Sequence, residues 1–363
     1  VNTVLRPTRW LAVAALMMTS ALLAIVTSGM AFARDETLQI LVDAPTDATA
    51  TVLTVDGTAR TAGTRTPGTE EPVSGSEHFR IGSITKTFVA TVVLQLVDEG
   101  RVALDAPIAK YLPGTVRDGD RITVRQILQH TSGIPDYMKT PGWSTNRWRG
   151  EDRFRDYRPD QLLQQAFTRP PDFAPGAKFR YSNSNYIVAG LLIEAVTGRP
   201  YGTEIDRRIL GPLHLAGTSL PGSNPRLPEP ALRAVADLDG RRVDVTEQNE
   251  SLDWAAGEMI STQPDLATFF DALLGGRLLS EQTLAEMRRT VPMGSGFHYG
   301  LGLERFDLAC GGQVWGHGGQ LLGYVTYAYR RDDGRTFGLL EVSGSDDGFL
   351  RFAAMATAVY CPR

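Results

Sequence analysis

Lysine is nearly absent from this chain: Lys86, Lys110, Lys139 and Lys178 stand against thirty-three arginines. Cysteine is rarer still, with only Cys310 and Cys361. There is no paired C-x-x-C, no His-Glu-x-x-His, no Gly-x-Ser-x-Gly elbow and no glycine loop built to cradle phosphate. These absences set aside zinc-ribbon, zincin, α/β-hydrolase and nucleotide chemistry. His78, His130, His214, His298 and His317 are too scattered to suggest a metal site, and nothing in the sequence calls for a metal or an organic cofactor. The formal net charge is −4, so global electrostatics give no reason to expect nucleic acid.

What is present begins with an export signal. Arg6 and Arg9 precede an apolar run from Trp10 to Thr27, and Ala31-Phe32-Ala33 offers a small-x-small cleavage site. Cutting after Ala33 would remove both arginines and take the net charge from −4 to −6. The expected protein is secreted and free of the membrane; an uncleaved anchor is the alternative. An even cysteine count in an exported chain predicts one disulfide, Cys310 to Cys361, closing a loop of about fifty residues and clamping the C-terminus.

Along the chain, a short helix at 35–43 is followed by a hairpin of 49–55 and 58–62 about Asp56-Gly57. Residues 122–137 read as a helix ended by His130 and a Gly-Ile-Pro turn, and 160–169, 185–197, 265–276 and 280–289 as further helices. Residues 138–160 mix Trp143, Trp148, Phe154 and Tyr157 with five arginines, but Glu151, Asp152 and Asp156 break the charge. A solvated, salt-bridged segment fits this better than a cleft rim or a nucleic-acid stripe. The pattern turns to period two at 297–305, 321–330 and 336–343, which read as antiparallel strands before a last helix at 348–360. The predicted class is α/β of the α+β type, an antiparallel sheet flanked by helices. A sheet domain would combine 34–120 with 290–363, an all-helical insertion would span 121–289, and the active site would lie between them.

Residues 79–88, FRIGSITKTF, hold a serine and a lysine three positions apart at the start of an unusually apolar stretch. On the first turn of a buried helix Ser83 and Lys86 would share a face. The unpaired N–H groups there favour a negative oxygen, while burial lowers the lysine pKa towards a neutral amine able to take the serine proton. Arginine could not do this. The plainer alternative is a capping serine beside a lysine that snorkels to solvent. Alone, Tyr181 would equally read as a half-buried aromatic, Asn183 as a helix cap and Trp315 to Gly319 as a strand-edge turn.

Taken together and in order, Ser83-x-x-Lys86, Tyr181-x-Asn183 and His317-x-Gly319 resemble the SxxK, YxN and basic-x-G triplet of the penicillin-recognising serine hydrolases. LQLVDEG at 94–100, RITVRQILQHTSG at 121–133, NYIVAGLLIEAVTG at 185–198, YGLGL at 299–303 and DLACG at 307–311 extend the resemblance to the exported D-alanyl-D-alanine carboxypeptidase/transpeptidase group, which also includes the class C β-lactamases. The resemblance implies Ser83 as acylated nucleophile, Lys86 as proton acceptor and Tyr181 as proton shuttle. It implies a substrate-binding set of Asn183, His317, Gly319, Gln320, Trp254 and Glu304, with the N–H groups of Ser83 and Gln320 as oxyanion hole. The family's disulfide also falls on Cys310 and Cys361. The implied partner is a peptidoglycan-type peptide or another small acyl substrate, with β-lactams as candidate ligands and a monomeric enzyme.

Two departures bear on the substrate. Gly318 and Gln320 stand where that group has threonines, and Glu304 occupies the position of an arginine that grips a terminal carboxylate. An acid pointing into the site would repel that carboxylate; one pointing to solvent would be neutral to it. Beside the DD-peptidase reading therefore stand an esterase, a D-aminopeptidase or D-amino-acid amidase, a class C-type β-lactamase and a non-catalytic penicillin sensor.

Overall fold

The turn at Asp56-Gly57 has positive φ at both residues, 49° and 79°, the geometry a two-residue hairpin needs. It joins β1 (Ala50–Val55) to β2 (Thr58–Gly63), Val55 lying opposite Thr58. In this computed structural model the described residues are 36–44, 47–144, 150–238, 240–344 and 348–361. The expected signal at 1–33, and Arg147, Trp148 and Arg149 of the arginine-aromatic segment, lie outside them. Residues 36–43 form a helix, α1, in a unit of its own; all elements below belong to the second unit.

The remaining strands, in chain order, are β3 (Phe79–Arg80), β4 (Val235–Leu238), β5 (Arg241–Asp244), β6 (Ile260–Ser261), β7 (Val291–Gly294), β8 (Phe297–Tyr299), β9 (Glu304–Asp307), β10 (Gln313–Leu321), β11 (Tyr324–Arg331) and β12 (Thr336–Val342). The main sheet is antiparallel in the order β2-β1-β12-β11-β10-β9-β8-β7, so the first hairpin docks on the last strand, Ala50 opposite Val342. Sequence from both ends thus builds one sheet. β3 pairs with β6 and β4 with β5.

The helices are α2 (Thr85–Asp98), α3 (Val124–Leu128), α4 (Pro159–Ala166), α5 (Ser184–Thr197), α6 (Tyr201–Ile205), α7 (Gly211–Leu213), α8 (Gln263–Leu274), α9 (Glu281–Met287) and α10 (Gly348–Tyr360). Side chains alternate across the sheet, and helices cover both faces. On one face Phe352 of α10 meets the rings of Tyr327, Tyr329 and Phe337. On the other, Gly338 lets α8 approach: a Cβ there would stand 2.1 Å from Gln263 Oε1. α2 is buried almost throughout, and its Phe88 stacks on Phe269 of α8. Residues 121–289 carry α3 to α9 and, in addition, β4, β5 and β6. The Cys310–Cys361 disulfide is formed, Cα–Cα 5.8 Å, tying the end of α10 to the turn before β10. Among the described residues no helix is long and apolar enough to cross a membrane.

Several elements differ from expectation. The helix read within 122–137 is short, Val124–Leu128: a Thr123–Gln126 capping box starts it, and His130 at φ 59° and Gly133 at φ 81° turn the chain away at the stop expected there. The strand expected at 297–305 is two strands, because Gly302 at φ 72° bends the chain over α2, where a Cβ would lie 2.4 Å from the Ala90 methyl. Residues 315–319, a turn when read alone, are the middle of the nine-residue β10. In the arginine-aromatic segment Arg158 pairs with Asp160 in solvent and Arg153 lies over Phe154, whereas Tyr157 is buried against Trp143.

Candidate active site

Gly82, at φ +50°, starts a 3₁₀ turn, Gly82–Ile84, that carries Ser83 just ahead of α2 rather than within its first turn. A Cβ on Gly82 would lie 2.9 Å from the Gln320 backbone N, and one on Gly319 would lie 2.0 Å from the Ile81 carbonyl oxygen. Only glycine permits this backbone-to-backbone approach, which sets Ser83 against the edge of β10. Lys86 is wholly buried, so it does not snorkel. Its Nζ lies 2.9 Å from Ser83 Oγ, 2.9 Å from Asn183 Oδ1 and 2.7 Å from the Ala256 carbonyl. Burial pulls the amine down to about 7. A neutral amine has two N–H bonds and one lone pair. With the bonds given to Asn183 and Ala256, the lone pair faces the Ser83 hydroxyl.

Asn183 precedes α5 but does not cap it with its side chain. Its Nδ2 donates instead to Asp136 Oδ2, 3.2 Å away, which turns Oδ1 towards Lys86. Tyr181 is half-buried, its phenol hydrogen-bonded to Ser83, and burial raises it well above the usual tyrosine range. It is a phenol, not a phenolate, at neutral pH. Its ring stacks on His130, centroids 4.2 Å apart. His130 Nδ1 accepts from the Ser182 N–H at 3.2 Å and from Asn185 Nδ2 at 3.1 Å, and burial keeps the imidazole neutral.

On β10, His317 is buried, and burial lowers its pKa. Its Nδ1 donates to the Gly318 carbonyl while Nε2 accepts from the Tyr299 hydroxyl at 2.9 Å. Glu304 of β9 is only 6% exposed. Its Oε2 accepts from the Gly318 N–H at 3.0 Å and from the Tyr329 hydroxyl, and its Oε1 lies 3.8 Å from His317 Nδ1. The carboxylate therefore points into the site and not to solvent. A cleft of about 540 Å³ opens here, bounded by Ser83, Tyr181, Glu304 and the His317–Gln320 stretch of β10.

The model for the family described as Beta-lactamase matches residues 37–357. The chain belongs to the beta-lactamase family. It is similar to a D-stereospecific amidohydrolase from Streptomyces sp., at 39% identity over 89% of this chain and 98% of that one, with a TM-score of 0.81. It is also similar to the D-amino acid amidase from Ochrobactrum anthropi SV3, at 27% identity over 90% and 96% of the two chains and a TM-score of 0.77. Esterase EstB of Burkholderia gladioli is 32% identical over 162 residues, 42% of this chain and 41% of that protein. The chain spans about half or less of the length of the first curated relatives it matches, 52% for a Bacillus subtilis penicillin-binding protein. With these relatives the fold is that of a serine hydrolase.

Within this beta-lactamase fold, Ser83, Lys86, Tyr181, Asn183, His317, Gly319, Gln320 and Glu304 come together as the motifs suggested. Trp254 does not join them. It does not line the cleft; its ring meets Tyr201 edge-on at 4.6 Å and sits over Gly190, where a Cβ would be 2.7 Å away. Its neighbour Ala256, through a backbone carbonyl, is what reaches Lys86. Sequence reasoning missed Asp136, Tyr299, Tyr329 and that carbonyl. Asp136 and Tyr299 lie in quoted stretches or beside them, but the carbonyl has no sequence signal.

Proposed function

We propose that this enzyme hydrolyses D-configured acyl amides and esters that carry no free terminal carboxylate, through an acyl-enzyme on Ser83. The observation that carries the reading is the Glu304 carboxylate held inside the cleft by the Gly318 N–H and Tyr329 hydroxyl. A carboxylate there repels a substrate carboxylate and favours an ammonium or a neutral amide. The D-configuration is supported by the names of the Streptomyces and Ochrobactrum relatives.

In the proposed cycle Ser83 Oγ attacks the acyl carbon while its proton passes to the Lys86 lone pair. The N–H groups of Ser83 and Gln320 hold the oxyanion, where one donor is typically worth ~10²–10³ in rate. Tyr181 then gives its phenol proton to the departing nitrogen or oxygen and is reprotonated from Lys86, so the C–N or C–O bond breaks without expelling an anion. Water enters, loses a proton by the same route and releases the acid. Asn183 bonds the acyl portion and fixes Lys86; neutral His317 supplies polarity beside Tyr181 and is not itself the base.

The test compares a D-aminoacyl amide with the same residue inside a free-carboxylate D-alanyl-D-alanine terminus. The amide should be turned over at least tenfold faster, and Glu304→Gln should shrink the gap by removing a charge contact worth about 1–2 kcal/mol. A strict need for the free carboxylate would overturn the reading in favour of a DD-carboxypeptidase, the alternative that the penicillin-binding relative supports.

A further inference from the structure

The cleft beside Ser83 is lopsided. Asn183, which holds Lys86 through its Oδ1, turns its Nδ2 to Asp136 and Met138. None of these three lines the 540 Å³ cleft, which runs instead along Tyr181, His317 and Glu304. Beyond Glu304 the wall turns apolar. Met293 and Phe297 come from the β7–β8 hairpin, Val325 and Tyr327 from β11 and Phe349 from the first turn of α10. Met293 is 39% exposed and Phe349 36% exposed, although both are large apolar side chains at the mouth of a cleft. Gly318 widens this side, since a Cβ there would press on the Tyr327 ring at 3.2 Å.

In the reading above, on which this step rests, Asn183 faces the acyl portion and Tyr181 protonates what departs. The large cleft on the Tyr181 side is then where the departing group sits. We infer that this hydrolase is built to release a bulky apolar amine or alcohol, an aromatic or branched group seated on Met293, Phe297, Tyr327 and Phe349, in preference to ammonia or a small alcohol. Exposed apolar side chains lose water contact when such a group docks, and the gain is realised while the C–N or C–O bond is breaking, so it enters kcat/KM. Glu304 at the inner end of the wall rejects a departing group that ends in a carboxylate close to the scissile bond. An apolar amine, or a capped residue, satisfies both constraints.

The experiment uses methyl and benzyl esters of one carboxylic acid, whose alcohols differ little in acidity, so intrinsic reactivity is matched. The purified enzyme should prefer the benzyl ester in kcat/KM by about tenfold or more. Phe349→Ala, at a partly exposed position whose truncation leaves the core in place, should cut that benzyl-to-methyl ratio several-fold, and Met293→Ala should cut it less. A wild-type ratio near one, or a ratio untouched in both variants, overturns the inference. The ratio is read on esters without amine or carboxylate, so it stands or falls separately from the amide-against-carboxylate comparison that tests the proposed substrate.

Discussion

Two polar clusters meet in this protein, one around the buried Lys86 amine at the edge of the cleft and one wholly inside, and one turn joins them. In front, the groups within hydrogen-bond distance of the Lys86 amine are, among the described residues, all neutral: Ser83 Oγ, Asn183 Oδ1 and the Ala256 carbonyl. Behind, the carboxyls of Glu250, Asp253 and Glu258 are buried, Glu250 with the Arg80 Nε 3.4 Å away and Glu258 accepting from the Tyr201 phenol. Asp253 begins the Trp254–Ala256 turn whose far end presents its carbonyl to Lys86. Burial acts on both clusters and drives each group towards its uncharged form. The amine therefore falls to about 7, whereas Asp253 is pushed well above the carboxylate range and Glu258 rises to about 7. The same desolvation makes a base in one place and stores protons in the other. The difference lies in the starting charge of each group.

The largest effect expected from this contrast is at Lys86. Lys86→Arg keeps a long cation but removes any neutral form, so ester hydrolysis should fall by ~10²–10⁴-fold with cooperative unfolding retained. Near-normal turnover would mean that the amine serves only as a fixed charge. Next comes the pH profile. The reaction needs the neutral amine and the folded protein holds it at about 7, so kcat/KM should drop about tenfold per pH unit on the acid side of that value. Glu258 titrates in the same range, which makes Glu258→Gln the discriminating variant. If the acid limb stays near 7 the proton is on Lys86, and if the limb vanishes the proton belongs to the rear cluster.

Much of the front cluster could be read from the chain. Ser83, Lys86, Tyr181, Asn183 and His317 sit in short motifs whose order survives in sequence, and the apolar run after Ser83 announced the buried α2 that carries the lysine. The contacts that decide the chemistry could not be read so directly. Lys86 meets Asn183 across 97 positions and Ala256 across 170, and a backbone carbonyl leaves no residue-type signature. Whether Glu304 faced the site or solvent depended on Gly318 and Tyr329, fourteen and twenty-five positions on, whose N–H and hydroxyl hold it inward. Trp254 failed as a site residue because its positive φ of 38° and the gap at Gly190 direct the ring into the helical core. β10 was misjudged because Gly316, Gly318 and Gly319 look like a turn. They are the small residues of a strand against which other backbones and rings pack: a Cβ on Gly316 would lie 2.0 Å from the Ala328 carbonyl.

The rear cluster gives a smaller and separate test, in stability rather than rate. Glu258 has a folded pKa of about 7 against an ordinary 4.5, so between those values the folded state holds a proton that the unfolded chain has lost. Its contribution is fully present below pH 4.5, declines as pH rises through the window and is gone above 7. The expected size is on the order of 2–4 kcal/mol between pH 5 and 8. Glu258→Gln keeps an oxygen that can accept from Tyr201 but cannot ionise, so urea unfolding of the variant should lose less stability over that interval by this amount. Lys86 also titrates near 7 but is present in both proteins and cancels in the comparison. Equal pH dependence in the two would show that the acids behind the turn are charged after all, and that the symmetry between the two clusters is false.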